Sequence, residues 1–204
     1  MRTIPTRAAV LELKAERVVV GEAYDFLDEK RLLLAAELLR QLAVYDRLRH
    51  ELETVRQQAV SAMLHAVALH GLQGLSVYPA TRVEAAQFDT VTRNFMGVVL
   101  ADTRLQLPDD RAANSAECPS FEARACQRVF RKLLQASSEL AGISGNLYRL
   151  LAEYRATERR ARALENVILP EIEQTLHIMS SHLEELEFED TVRARVHGKT
   201  VSSA

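Results

Sequence analysis

The residues able to do chemistry are few, and their spacing works against it. His177 and His182 lie five apart in a stretch of helical pattern, which turns them about 140° from each other and makes a poor metal pair. Cys118 and Cys126 are the only cysteines and form no Cys-x-x-Cys pair. They read as free thiols in a reducing compartment. Glu184, Glu185, Glu187, Glu189 and Asp190 form an acidic run. Helix carboxylates without burial lack the usual means of moving a pKa toward catalysis, so the run reads as a solvated or register-setting face. Arg155, Arg159, Arg160 and Arg162 form a basic band, either solvated or facing an acidic partner. There is no Gly-rich phosphate loop, His-Glu-x-x-His or nucleophile elbow, and no inward Glu-x-x-His sets for a helical carboxylate metal protein. The expectation is no catalytic, cofactor or metal site.

The elements that carry these residues are long helices. Hydrophobic residues make up 48% of the 204, aromatics only 5%, and Gly and Pro together number 12, a profile of extended helix or coiled coil. A net charge of −2 gives no reason to expect a nucleic-acid or membrane-surface binder. The opening MRTIPTRAAV lacks a signal-peptide core, and no stretch approaches the ~20 apolar residues of a spanning helix. A cytosolic location, or one on the cytosolic side of a membrane, is expected.

Thr6, after Pro5, can cap a first helix. Positions 10, 17, 24, 31, 38, 45, 52, 59 and 66, interleaved with 13, 20, 27, 34, 41, 48, 55, 62 and 69, are apolar in fifteen of eighteen cases. That 3.5-residue seam predicts supercoiling about a partner helix, over about 90–95 Å at 1.5 Å per residue. The stripe widens from Leu32 to Val44, as a second contact surface or a locally fat core. Gly71 and Gly74, after His70, end the helix.

Residues Val77 to Ser120 change texture, with Pro79, Pro108, Pro119 and β-favouring runs. They read as a small head with a hairpin over Asn94 to Leu107 or Arg82 to Leu100. Ser120 is the expected N-cap of the second long helix. Its small residues (Ser137, Ser138, Gly142, Ser144, Gly145) read as a close-approach face or as weak helix rescued by packing. From Leu147 a seam resumes and leads to Ala161, Leu164, Ile168, Ile172, Leu176, Met179, Leu183 and Leu186.

The fold expected is mainly α: a long antiparallel two-helix coiled coil of the N- and C-terminal helices, with a small central head containing a short β-hairpin. The expected divisions are a helix over 6–70, a head over 71–119, a helix over 120–192 and a disordered tail over 193–204. If both termini share one end, facing residue numbers sum to about 204. Arg17 then faces position 187 amid Glu184 and Glu187, and Arg31 faces Glu171 and Glu173, which would specify register. Pro170 sits where Ile168, Ile172 and Leu176 are spaced four and four. The stripe should drift there and the helix bend.

Three sets of residues carry a family resemblance. Thr157, Arg159, Arg160, Ala163, Leu164, Glu165, Val167, Pro170 and Glu173 resemble the C-terminal signature of the D subunit of V/A-type ATPases. Pro5-Thr6 with Leu11, Leu13-Lys14 and Leu27 to Leu34 is similar to the family's opening helix. Asn94, Met96, Gly97 and Val98 are similar to its Asn-x-Met-Gly-Val head motif. Arg162 stands where the family usually has Asn. The resemblance implies a non-catalytic rotor shaft that couples ATP synthesis or hydrolysis to rotation of a membrane ion-translocating ring. It implies, as partners, the catalytic and non-catalytic ring subunits, the small F subunit and the socket subunit above the membrane rotor ring, with no nucleic acid and no direct membrane insertion. Arg7, Leu11, Lys14, Glu173, His177 and Glu184 are then candidate rotor–stator contacts, and Leu32 to Val44 a contact for the F subunit or the head. The other reading is a coiled-coil adaptor that transmits no torque.

Overall fold

In a computed structural model of the chain, residues 6–78, 86–108 and 120–201 are described, with side chains to 195. The chain is mainly helical, with a long helix at each end and a two-stranded antiparallel hairpin between them. The elements are α1 (Arg7–Leu75), β1 (Gln87–Phe95), β2 (Val98–Gln106), α2 (Phe121–Ala163), a π turn at Leu164–Ile168, and α3 (Leu169–Val201). The last helix therefore passes residue 192, and the tail expected to be disordered from 193 is helical as far as Val201.

Both long helices begin where a hydroxyl can satisfy orphan N–H groups. The Ala9 N–H donates to Thr6 Oγ1 at 3.1 Å, and the Ala123 N–H to Ser120 Oγ at 3.2 Å. Gly71 carries φ 64 inside the span of α1. A left-handed residue stops regular helix and favours glycine, so the regular run ends at His70.

The chain divides into two units, Met1–Leu33 with Arg155–Ala204, and Leu34–Tyr154. In the second, Leu34, Val98, Leu100 and Leu150 form the buried core, with Leu38, Phe95 and Tyr154 against it. The hairpin thus supplies half of a core that two strands could not build alone. It turns at Met96 and Gly97, with φ 51 and 86, the paired positive φ of a two-residue type I′ loop. Strands 87–95 and 98–106 straddle both spans expected for the hairpin. Cys118 and the polar loop after Pro108 lie outside the described residues.

In the first unit the seam positions of α1 pack on a row along the C-terminal segment: Thr157, Ala161, Leu164, Leu169, Ile172, Leu176, Met179 and Leu183, each buried or half-buried. Ile168 and Leu186, both expected in this row, are 37% and 49% exposed. The π turn is the reason for the first. The Leu169 N–H bonds the Leu164 carbonyl, which inserts one residue and puts Leu169 where Ile168 was expected. Pro170 cannot donate to the carbonyl of Asn166, which lies inside the same turn, so the widened turn sits where the α-helical ladder is already broken.

The register expectation is corrected. Arg7 pairs with Glu187 and Arg17 with Glu173 at 3.4 Å, so facing numbers sum to 194 and 190 rather than about 204. In the other unit, His70 meets Ser120 and Cys126 meets Met63, with sums of 190 and 189. Within the second unit the pairing starts where α1 stops regular helix, at His70, and where α2 is capped, at Ser120. The chain ends do not have to coincide. Arg31 accordingly pairs with Asp28 at 2.5 Å on its own helix, not with Glu171 or Glu173.

Candidate functional site

The rotor–stator candidates all belong to the first unit. Leu11 is 66% exposed. Lys14, His177 and Glu184 are exposed along the same faces, and Arg7 and Glu173 are exposed members of ion pairs between α1 and α3. Such pairs are worth ~0–1 kcal/mol each, so they select register rather than hold the helices together. Between them α1 and α3 leave a groove of about 810 Å³, floored by Val10, Leu169 and Leu176 and rimmed by Lys14, Arg17, Glu173 and His177. Gly21 lines it, and a Cβ there would meet nothing within 4 Å. Tyr24 stands nearby, its phenol pKa pushed up chiefly by the Glu165 carboxylate.

Of the other positions singled out in the sequence, Arg159 and Arg160 are exposed, and Leu164 is half-buried in the packed row. Asn94, Met96 and Gly97 form the hairpin turn, where the Gly97 N–H donates to Asn94 Oδ1 at 3.1 Å. Part of the broad α1 stretch is uncovered among the described residues, with Leu32 61% and Leu39 68% exposed, while Leu34 and Leu38 of the same stretch belong to the core. Part of it lines an apolar cleft of about 320 Å³ with Leu38, Leu42, Tyr45, Leu147, Tyr148 and Leu151. Ser144 lies in that cleft. The neighbouring Gly142 lets Thr103 approach so closely that an added Cβ would lie 3.3 Å from its Cβ, so at that residue the close-approach reading of the small-residue stretch holds.

Two polar groups that the sequence reading did not pick out bind the hairpin to the helices. Glu37, 7% exposed, accepts from Arg40 at 2.6 and 2.7 Å, Gln41 at 2.9 Å and Arg93 of β1 at 2.6 Å. The Arg40 hydrogen bonds, with those of Gln41 and Arg93, outweigh burial and lower its pKa to about 2. Asn146 is fully buried. Its Oδ1 accepts the Ala101 N–H at 2.8 Å and its Nδ2 donates to the Ala101 carbonyl at 3.0 Å, so one side chain pairs with β2 as a neighbouring strand would. The available signal was a lone carboxylate inside the apolar run 32–44, and an amide four residues before the core residue Leu150.

Cys126 is buried, 3.8 Å from the Met63 sulfur, and burial pushes its thiol pKa up, the opposite of a reactive cysteine. Among the described residues no three His, Cys, Asp or Glu side chains are placed to hold a metal ion. None of the described helices is long and apolar enough to cross a membrane.

What the geometry offers is surface for partners: paired helices with charged and apolar residues facing outward, and a clamped hairpin. This is the class of a helical subunit of an assembly. The family model for the ATP synthase D subunit matches residues 9–198, and the chain belongs to that family. It is similar to the V-type ATP synthase D subunit of Thermotoga neapolitana, 26% identical over 96% of both chains. It is similar to the V-type ATP synthase D subunit of Anaeromyxobacter dehalogenans, 32% identical over 95% of this chain and 94% of that one. With the A-type ATP synthase D subunit of Methanobrevibacter smithii it shares 25% identity over 97% and 87%.

Proposed function

We propose that the chain is the central rotor shaft of a V/A-type rotary ATPase. It couples ATP synthesis or hydrolysis in a ring of catalytic and non-catalytic subunits to rotation of a membrane ion-translocating ring. The observation that best supports this beyond family membership is in the first unit. The two ends of the chain run antiparallel there, joined by Arg7–Glu187 and Arg17–Glu173, with Leu11, Lys14, His177 and Glu184 along their outer faces. In this reading the subunit is non-catalytic and peripheral on the cytoplasmic side of the membrane, and those outer residues contact the ring. The apolar cleft around Leu39 and Tyr148 takes the small F subunit, and the head engages the socket subunit above the membrane rotor ring.

Removing the last fifteen residues tests the reading in the assembled complex. Nucleotide binding to the ring should persist while ATP-driven rotation and coupled ion transport fall. An unaltered coupled rate would contradict it, and an adaptor that bears no torque would give that result.

A further inference from the structure

We propose that the outer edge of β1 is a strand-addition site, occupied in the assembled complex by an extended segment of another subunit. The direction of the backbone groups follows from the Asn146 clasp. Both the N–H and the carbonyl of Ala101 bond Asn146, so they point away from β1. Ala101 lies opposite Thr92, and in an antiparallel pair the two residues face each other or face away together. The N–H and carbonyl of Thr92 therefore point away from β2. By the period of two, so do those of Phe88, Thr90 and Asn94.

One edge of the hairpin is closed by a side-chain amide, and the other is open among the described residues. All of β1 except Phe95 is exposed, and no described residue gives its outward N–H groups a partner. Natural edges are blunted by charged side chains, Pro or bulges. The sequence QFDTVTRNF has no Pro and pairs without a bulge over nine residues, and of its two charges Arg93 is drawn onto Glu37. Phe88 and Val91, 66% and 65% exposed, offer apolar side chains on opposite faces of that edge.

Main-chain hydrogen bonds to an exposed edge select an extended segment, and side chains at alternate positions select which one. Arg93 is taken by Glu37 at 2.6 Å, whereas Asp89 is exposed and has no ion-pair partner among the described residues. The fitting strand is apolar where it passes Val91 and carries a basic residue where it passes Asp89. A second copy of this chain fits less well. Pairing about Val91 would set Asp89 against an Arg93 already held by Glu37. The inference rests on membership of a multi-subunit complex, not on torque.

Residue-resolved hydrogen exchange on the isolated chain and on the assembled complex tests it. Amides of Phe88, Thr90 and Thr92 should slow by about tenfold or more on assembly. Thr92→Pro removes an outward N–H and leaves the β1–β2 ladder intact. The variant should keep its Val91 and Arg93 amides protected yet be retained in the complex about tenfold less tightly. Equal exchange in the free and assembled chains would overturn the proposal, as would wild-type retention of a folded Thr92→Pro. Protection that appears in the isolated chain together with a dimer in sedimentation would give the edge to a second copy, which also overturns it. If Thr92→Pro does not fold, the wild-type exchange comparison decides alone. An unaltered coupled rate after the C-terminal truncation would leave this result untouched.

Discussion

The Glu37 cluster makes a prediction whose size and pH dependence both follow from the geometry. The carboxylate is 7% exposed and its pKa is lowered from 4.5 to about 2. A group with a depressed folded pKa contributes stability that is complete above its unfolded pKa and is lost as pH falls through the folded one. The linkage gives about 3 kcal/mol at pH 7, falling to about 1 kcal/mol at pH 3. Glu37→Gln keeps the shape and one acceptor oxygen but removes the charge. It should therefore destabilise the chain by about 2–3 kcal/mol at pH 7 and by about 1 kcal/mol or less at pH 3. Arg40 and Arg93 are 56% and 41% exposed, so water can take up much of their charge when the carboxylate goes. That keeps the loss below what an enclosed ion pair would show. Urea unfolding of both proteins at the two pH values measures it, with hairpin amide exchange to show where the loss falls. An equal loss at pH 7 and pH 3 would mean that Glu37 acts by packing and not by charge, and would sink the reasoning.

Three further substitutions probe other parts of the fold. Asn146→Leu fills similar space but strands the Ala101 N–H and carbonyl, and should cost about 2–4 kcal/mol in urea unfolding with faster exchange at Ala101. Gly21→Ala adds a methyl group to open space in a helix, and should raise stability by about 0.5–1 kcal/mol, read as a higher Tm. Met96 holds φ 51, where Asn or Gly is favoured. Met96→Asn should stabilise the hairpin by about 0.5–1 kcal/mol in the same assay, and weaker assembly despite that gain would mark the Met96 side chain as a partner contact.

The parts of the fold legible in the sequence are those written by period and by caps. Of the eighteen seam positions between 10 and 69, only Arg17 and Leu69 are exposed, because a 3.5-residue repeat leaves a helix one face to bury. Thr6 and Ser120 cap as their hydroxyls suggested. Register was not legible in the same way. A heptad seam is nearly indifferent to slipping by whole heptads, and the observed sums near 190 differ from 204 by two of them. Contacts such as the one between His70 and Ser120, 2.7 Å apart where α1 ends and α2 begins, carry the register, and no periodicity encodes them. Glu37 and Asn146 escaped for a related reason. Each is a polar residue on a helix whose partner is a strand remote in sequence, so its meaning exists only once the hairpin docks.

The π turn joins the local pattern of the last helix to its long-range packing. Leu164, Ile168, Ile172 and Leu176 step by four, and in an α-helix each such step carries the stripe about 40° around the axis. Without correction the row would leave the α1 face within a few turns. One inserted residue resets the phase: the packed row runs from Leu164 to Leu169, a step of five, and resumes steps of three and four through Ile172, Leu176, Met179 and Leu183. Pro170 makes the insertion cheap, since the turn before it has already lost an α-helical hydrogen bond. The proline and the four-residue steps are therefore one device, which keeps the C-terminal helix against α1 as far as the Arg17–Glu173 and Arg7–Glu187 pairs. Replacing Pro170 with Ala would restore a donor to the ladder and favour a plain α-helix. The row would then be pressed to bury Ile168 in place of Leu169.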